Sequence, residues 1–98
     1  MRYLRDDYQF VRIAGAATTV VAGVAARLIR ITVNTTGAGT ITAYNAATSA
    51  TSTSGVVGAV LKSSIVEGTY EYNCVFPNGI TVVTGAAAQD ITVIYATN

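Results

Sequence analysis

The feature that most limits what this chain can become is a succession of short runs rich in Val, Ile, Thr and Tyr, each cut off by Gly, Ala, Asn or Pro after five to ten residues. β-Branched and aromatic side chains favour the pleated, half-buried backbone of a strand. No stretch carries a sustained 3.6-residue apolar stripe with caps, so helices have no foothold. Breaks this frequent leave no room for long elements. Strands are expected over Tyr8 to Ala14, Thr18 to Ala22, Ala26 to Thr35, Thr40 to Asn45, Val56 to Ser63, Thr69 to Phe76, Ile80 to Thr84 and Asp90 to Tyr95.

About eight short strands separated by turn signals predict an all-β protein. The expected form is an antiparallel β-sandwich, with a jelly-roll-like arrangement as one way of ordering the strands. Within Ala26 to Thr35, alternation places Ile29, Ile31 and Val33 on one face and Leu28, Arg30, Thr32 and Asn34 on the other, toward water or a partner. Within Thr69 to Phe76 it places Tyr70, Tyr72, Cys74 and Phe76 together, opposite Thr69, Glu71, Asn73 and Val75. In the last strand Ile91, Val93 and Tyr95 are expected to face inward. Pro77-Asn78-Gly79 combines a fixed φ with residues that tolerate the left-handed conformation. It predicts a hairpin between the strands on either side. Residues 46 to 55 are Ala, Thr, Ser and a closing Gly, with no side chain large enough to fill a core, and read as an exposed loop.

The chain divides into an extended N-terminal arm, residues 1 to 7, and a single domain, residues 8 to 98. The arm, Met-Arg-Tyr-Leu-Arg-Asp-Asp, is the only charge-dense segment. Arg2, Tyr3, Leu4 and Arg5 combine aromatic, aliphatic and guanidinium groups, the side chains that anchor interfaces, and are candidates for docking on a partner.

Charged residues make up only 11% of the chain, against the ~25% usual in soluble domains. A surface so poor in ions invites association, so other copies or other proteins are expected to cover part of it. The six basic residues are dispersed and form no stripe interleaved with aromatics, which argues against nucleic acid as a partner. The most apolar stretch, Ile13 to Ala26, falls short of the ~20 residues of a membrane span. One cysteine permits no internal disulfide, so folding needs no oxidising compartment.

Catalytic equipment is sparse. There is no histidine, which removes the commonest general base and metal ligand and every Ser-His or Cys-His pair. Cys74, between Tyr72 and Phe76, reads as a buried, inert thiol. The carboxylates Asp6, Asp7, Glu67, Glu71 and Asp90 form no obvious acid–base pair and no calcium loop. Gly37 and Gly39 lack the third glycine and helix of a phosphate cradle. The expectation is a protein that is not an enzyme and holds no cofactor or metal. Tyr44, out of phase with Ile41 and Ala43, is the best candidate for an exposed contact.

Several segments together carry a resemblance: Tyr70-x-Tyr72, Phe76-Pro77-Asn78-Gly79-Ile80 and Asp90-Ile91-Thr92-Val93-Ile94-Tyr95, with Arg30-Ile31-Thr32-Val33-Asn34 and Gly39-Thr40-Ile41-Thr42-Ala43-Tyr44 upstream. As a style of strand and turn over residues 28 to 95, this resembles small tailed-bacteriophage virion proteins of the capsid decoration, or cement, type. The resemblance implies a β-rich homo-oligomer without activity, often a trimer. It would sit on the outside of an icosahedral head over junctions between major capsid subunits, assembled in the host cytoplasm and carried in the virion. Residues 1 to 7 stand where such proteins have an arm that contacts the capsid protein. The alternatives are another virion part (tail, neck or head fibre) and a carbohydrate-binding or adhesive module, for which Tyr44 would be the stacking residue.

Overall fold

The computed structural model describes residues 8–48 and 56–97. Eight strands run in chain order: β1 (Gln9–Ala14), β2 (Ala17–Ala22), β3 (Ala26–Thr35), β4 (Ile41–Asn45), β5 (Val56–Leu61), β6 (Gly68–Phe76), β7 (Ile80–Thr84) and β8 (Asp90–Thr97). Among the described residues there is no helix. They form two antiparallel four-stranded sheets, a front sheet in the order β1-β8-β3-β6 and a back sheet in the order β2-β7-β4-β5. The all-β sandwich expected from the sequence is the fold of the chain.

The pairings have a simple logic. β1 pairs with β8, β2 with β7, β3 with β6 and β4 with β5. The chain is one long hairpin with β4 and β5 at its tip, rolled until β3 meets β8 and β4 meets β7. That is the jelly-roll order, in which every link except β4–β5 crosses from one sheet to the other.

Alternation then fills the space between the sheets. Ile13, Leu28, Ile31, Val33, Ile91 and Val93 from the front sheet meet Val21, Ile41, Ala43, Leu61, Ile80 and Val82 from the back, all 7% exposed or less. Tyr70, Tyr72 and Tyr95 pack half-buried against this layer. Each wholly buried aliphatic side chain stabilises by roughly 1.5–3 kcal/mol, and together they give the sandwich its cohesion.

Three sequence expectations are corrected here. Leu28 is not on an outward face: Leu28 and Ile29 are both buried, at 0% and 3% exposure. The register shifts between Leu28 and Arg30 on both sides of β3, so Ile29 is an extra residue relative to β8 and the strict alternation breaks. Pro77-Asn78-Gly79 does not close a hairpin. β6 lies in the front sheet and β7 in the back, so the turn carries the chain between them. Gly79 has φ +138° while Asn78 is not in the positive-φ region, whereas a type I′ hairpin turn needs both. A Cβ on Gly79 would stand 2.6 Å from the Ala22 carbonyl oxygen, so the corner packs backbone against backbone. Ala46, expected in an exposed loop, is 3% exposed; its backbone N–H donates to the Gly79 carbonyl oxygen at 3.2 Å and its carbonyl accepts from the Thr81 hydroxyl at 2.9 Å. Residues 49 to 55 of that loop, and the arm of residues 1 to 7, lie outside the described residues.

At the opposite end, three crossings are tied by one buried residue. Gln89, 1% exposed, accepts through Oε1 from the backbone N–H groups of Gly85 and Ala86, each at 3.0 Å. Its Nε2 donates to the carbonyl oxygen of Gly39. Its own carbonyl accepts from the Gly15 N–H at 2.7 Å. Gly39 belongs there because a Cβ would stand 2.6 Å from the Gly85 carbonyl carbon. Gln89→Ala removes the amide partners of the half-buried Ala86 N–H and Gly39 carbonyl, each costing ~1–3 kcal/mol when unsatisfied, while the Gly85 N–H keeps a bond to the Thr40 carbonyl at 3.1 Å. The variant is expected to lose about 2 kcal/mol in urea unfolding at an unchanged m-value; a loss below about 0.5 kcal/mol would show that water replaces the amide.

Candidate functional site

The strands deal out charge unequally. β1, β3, β6 and β8 of the front sheet carry Arg12, Arg27, Arg30, Glu71 and Asp90, whereas β2, β4, β5 and β7 of the back sheet carry no charged residue. Lys62 follows β5 directly, at the rim of the back sheet. The two outer faces therefore offer different chemistry.

The front face is a hydrogen-bonded lattice. Arg12 binds Asp90 with both ends of its fork, Nε to Oδ1 at 3.0 Å and Nη2 to Oδ2. Asn34 adds a bond to Asp90 Oδ1 at 3.1 Å and one to Thr92 at 3.0 Å. The bonds from Arg12, then from Asn34, hold the Asp90 carboxyl below the usual carboxylate range, and Asp90 in turn raises the Arg12 guanidinium. Arg30 Nε meets Glu71 Oε2 at 2.9 Å, and its guanidinium lies 5.9 Å from the centre of the Tyr8 ring. Glu67 Oε2 accepts from the Thr36 N–H at 3.2 Å. The described carboxylates are thus each engaged in a structural contact, and among the described residues no cluster of His, Cys, Asp and Glu could hold a metal ion. Phe10 and Tyr8, 72% and 52% exposed, stand where β1 begins, next to the arm.

The back face is uncharged. Register places Thr18, Val83, Thr42 and Val60 across one row, and Val20, Thr81, Tyr44 and Val57 across the next. Val20, Val57 and Val60 are 41%, 50% and 55% exposed. Tyr44, the predicted exposed contact, does lie on this outward row, but half-buried between Thr81 and Val57. The reading from sequence identified Tyr44 alone; the row around it depends on which strands are neighbours.

Around the edge where β5 faces β6 there is an open groove of about 250 Å³, lined by Asn45, Val56, Gly58, Cys74, Val75, Phe76 and Pro77. The Phe76 ring lies over Gly58, where a Cβ would come within 2.4 Å. Here the expectation for Cys74 is overturned, because the thiol is exposed. Its register partner Leu28 is wholly buried, yet Cys74 sits on an edge strand, beyond which the sheet ends. Asn73, at φ 52°, also distorts β6 just before it. Burial, with the neighbouring Cys74 and Tyr70 adding to it, pushes the Tyr72 phenol upward. A second hollow, about 340 Å³, lies among Val24, Ala25, Ala26, Arg27, Val75 and Ala96 and offers one cation and no partner group for catalysis.

Two outcomes follow from this geometry. Cys74 in the folded protein should react with a thiol reagent at a rate near that of the unfolded chain, and Cys74→Ser should change stability by less than about 0.5 kcal/mol, as surface substitutions do. Protection of the thiol in the folded monomer would contradict the open groove. A carboxyl held low in the folded state contributes stability that is present above the ordinary carboxylate range and is lost as pH falls through its folded value. The stability difference between the natural chain and Asp90→Asn should therefore shrink as pH is lowered from about 5 to about 2, and a constant difference would place the effect elsewhere.

No family model, no curated protein and no solved structure matches the chain.

Proposed function

We propose that the chain is a non-enzymatic virion structural protein that assembles through its surfaces, and specifically a bacteriophage capsid decoration protein. On this reading it binds the outside of the head as a homo-oligomer and stabilises contacts between major capsid subunits. The observation that carries the reading is the uncharged back sheet with its exposed valines: a face with no ionic group has nothing to offer chemistry and much to gain from being covered. The front side supports a second contact. Tyr8 and Phe10 prolong the aromatic and arginine character of the arm, Arg2, Tyr3, Leu4 and Arg5, onto the first strand. A jelly roll suits such a role because its rigid sheets present flat faces, though the fold itself serves many functions.

The test is co-sedimentation with capsid shells prepared without the protein. The full chain is expected to pellet with the shells at saturable stoichiometry, and deletion of residues 1 to 7 to weaken binding at least about tenfold. A full-length chain that stays in the supernatant at every concentration would reject the reading.

A further inference from the structure

We propose that a second copy of this chain covers the outer face of the back sheet, pairing the β2-β7-β4-β5 faces of two molecules about a two-fold axis. This deepens the assembly element of the proposed function and rests on that element alone, independently of the particle involved.

Charge decides the occupant. A two-fold contact sets a surface against itself, so any ion near the axis meets its own like charge. The front face, with Arg12, Arg27, Arg30, Glu71 and Asp90, would bury ions and break their pairs. The strands of the back sheet bring no charge to the contact. An anionic partner would be drawn to the front-sheet arginines, because the back-sheet strands hold no cation. The surface that matches this face in polarity is the same face of another copy: Val20 on one edge strand and Val57 and Val60 on the other supply apolar contact, with Thr18 beside Val20, and Thr42 and Tyr44 on the central β4 supply hydroxyls. With the back faces joined, both front sheets turn outward and keep their ions in water, which leaves the pair soluble.

Area sets the strength. Strands of five or six residues, four abreast, give a flat footprint of at most roughly 350 Å² per copy, because Thr81 in the outward row of β7 is already covered. A stable interface needs about 800 Å² per partner. Pairing through this face is therefore weak and concentration-dependent in free solution, and it becomes populated where copies are held close together.

The experiment is sedimentation velocity on the full chain from about 10 μM to about 1 mM, a range suited to an interface of this size. The mean mass is expected to rise toward that of a dimer. Val60→Lys and Thr42→Lys, one at the edge and one at the centre of the face, should each raise the midpoint at least about tenfold, while Thr69→Lys on the front sheet should leave it unchanged. A chain that stays monomeric throughout, an assembly that closes at three copies, or an equal response to Thr69→Lys would overturn the proposal. Hydrogen exchange on the natural chain gives a check that needs no variant to fold: amides of β4 and β5 should gain protection with concentration, and a gain confined to front-sheet strands would overturn the proposal too. Dimerisation without binding to capsid shells would refute the virion reading and leave this inference standing. Capsid binding by a chain that never pairs would do the reverse.

Discussion

A single layer of aliphatic side chains, with Leu28, Ile31, Val33, Ile91 and Val93 on one side and Ile41, Ile80 and Val82 on the other, separates two sheets whose strands are almost never consecutive within a sheet. Everything else answers to that arrangement. Because the links cross the layer, each turn must pass close to another, and backbone packs on backbone at both ends. Gly39 against Gly85 and Gly79 against Ala22 are consequences, since a Cβ at either glycine would occupy space already filled by a neighbouring main chain. Main-chain polar groups brought together away from water need partners, which is why a buried amide, Gln89, sits among the crossings at one end and the Thr81 hydroxyl bonds the Ala46 carbonyl at the other.

The positions of the strands were legible because β-branched runs and small-residue breaks are local signals; all eight appear within two residues of their expected bounds, the largest differences being β5, which ends at Leu61 rather than Ser63, and β8, which runs on to Thr97 rather than Tyr95. What the sequence could not reveal is set by pairing across the chain. Cys74 has the right phase for burial, but phase does not say whether a strand is an edge. Leu28 fell on the wrong face because a bulge at Ile29 leaves no mark in a run of aliphatic and arginine residues. Asn78-Gly79 suits a hairpin and a corner alike, and only the sheet assignment of β6 and β7 separates them. Gln89 gave no signal at all: one amide between three alanines and an aspartate looks like loop until the crossings converge on it.

The same limit governs the candidate surface. The low charge of the chain was visible at once, but its partition was not. β2, β4, β5 and β7 are scattered along the sequence, and each is unremarkable as a short uncharged run. Only the rolled hairpin brings the four side by side and turns absence of charge into a continuous face. The ion pairs of the front sheet lie at the surface, where solvent screens them, and each contributes little to stability. They leave that face charged while the other is not.

Stability and assembly are then two sides of one constraint. A sandwich of this length has one thin core and leaves valines on the back sheet and around the β5–β6 edge facing solvent. Replacing them with ions would make a better isolated monomer. Retaining them costs solubility in isolation and favours any state in which the face is covered, since whatever binds the folded form alone stabilises it. The groove at the open edge has the same origin: Phe76 closes over Gly58 as far as one ring can, and beyond it Cys74, Val75 and Val56 face solvent rather than the core.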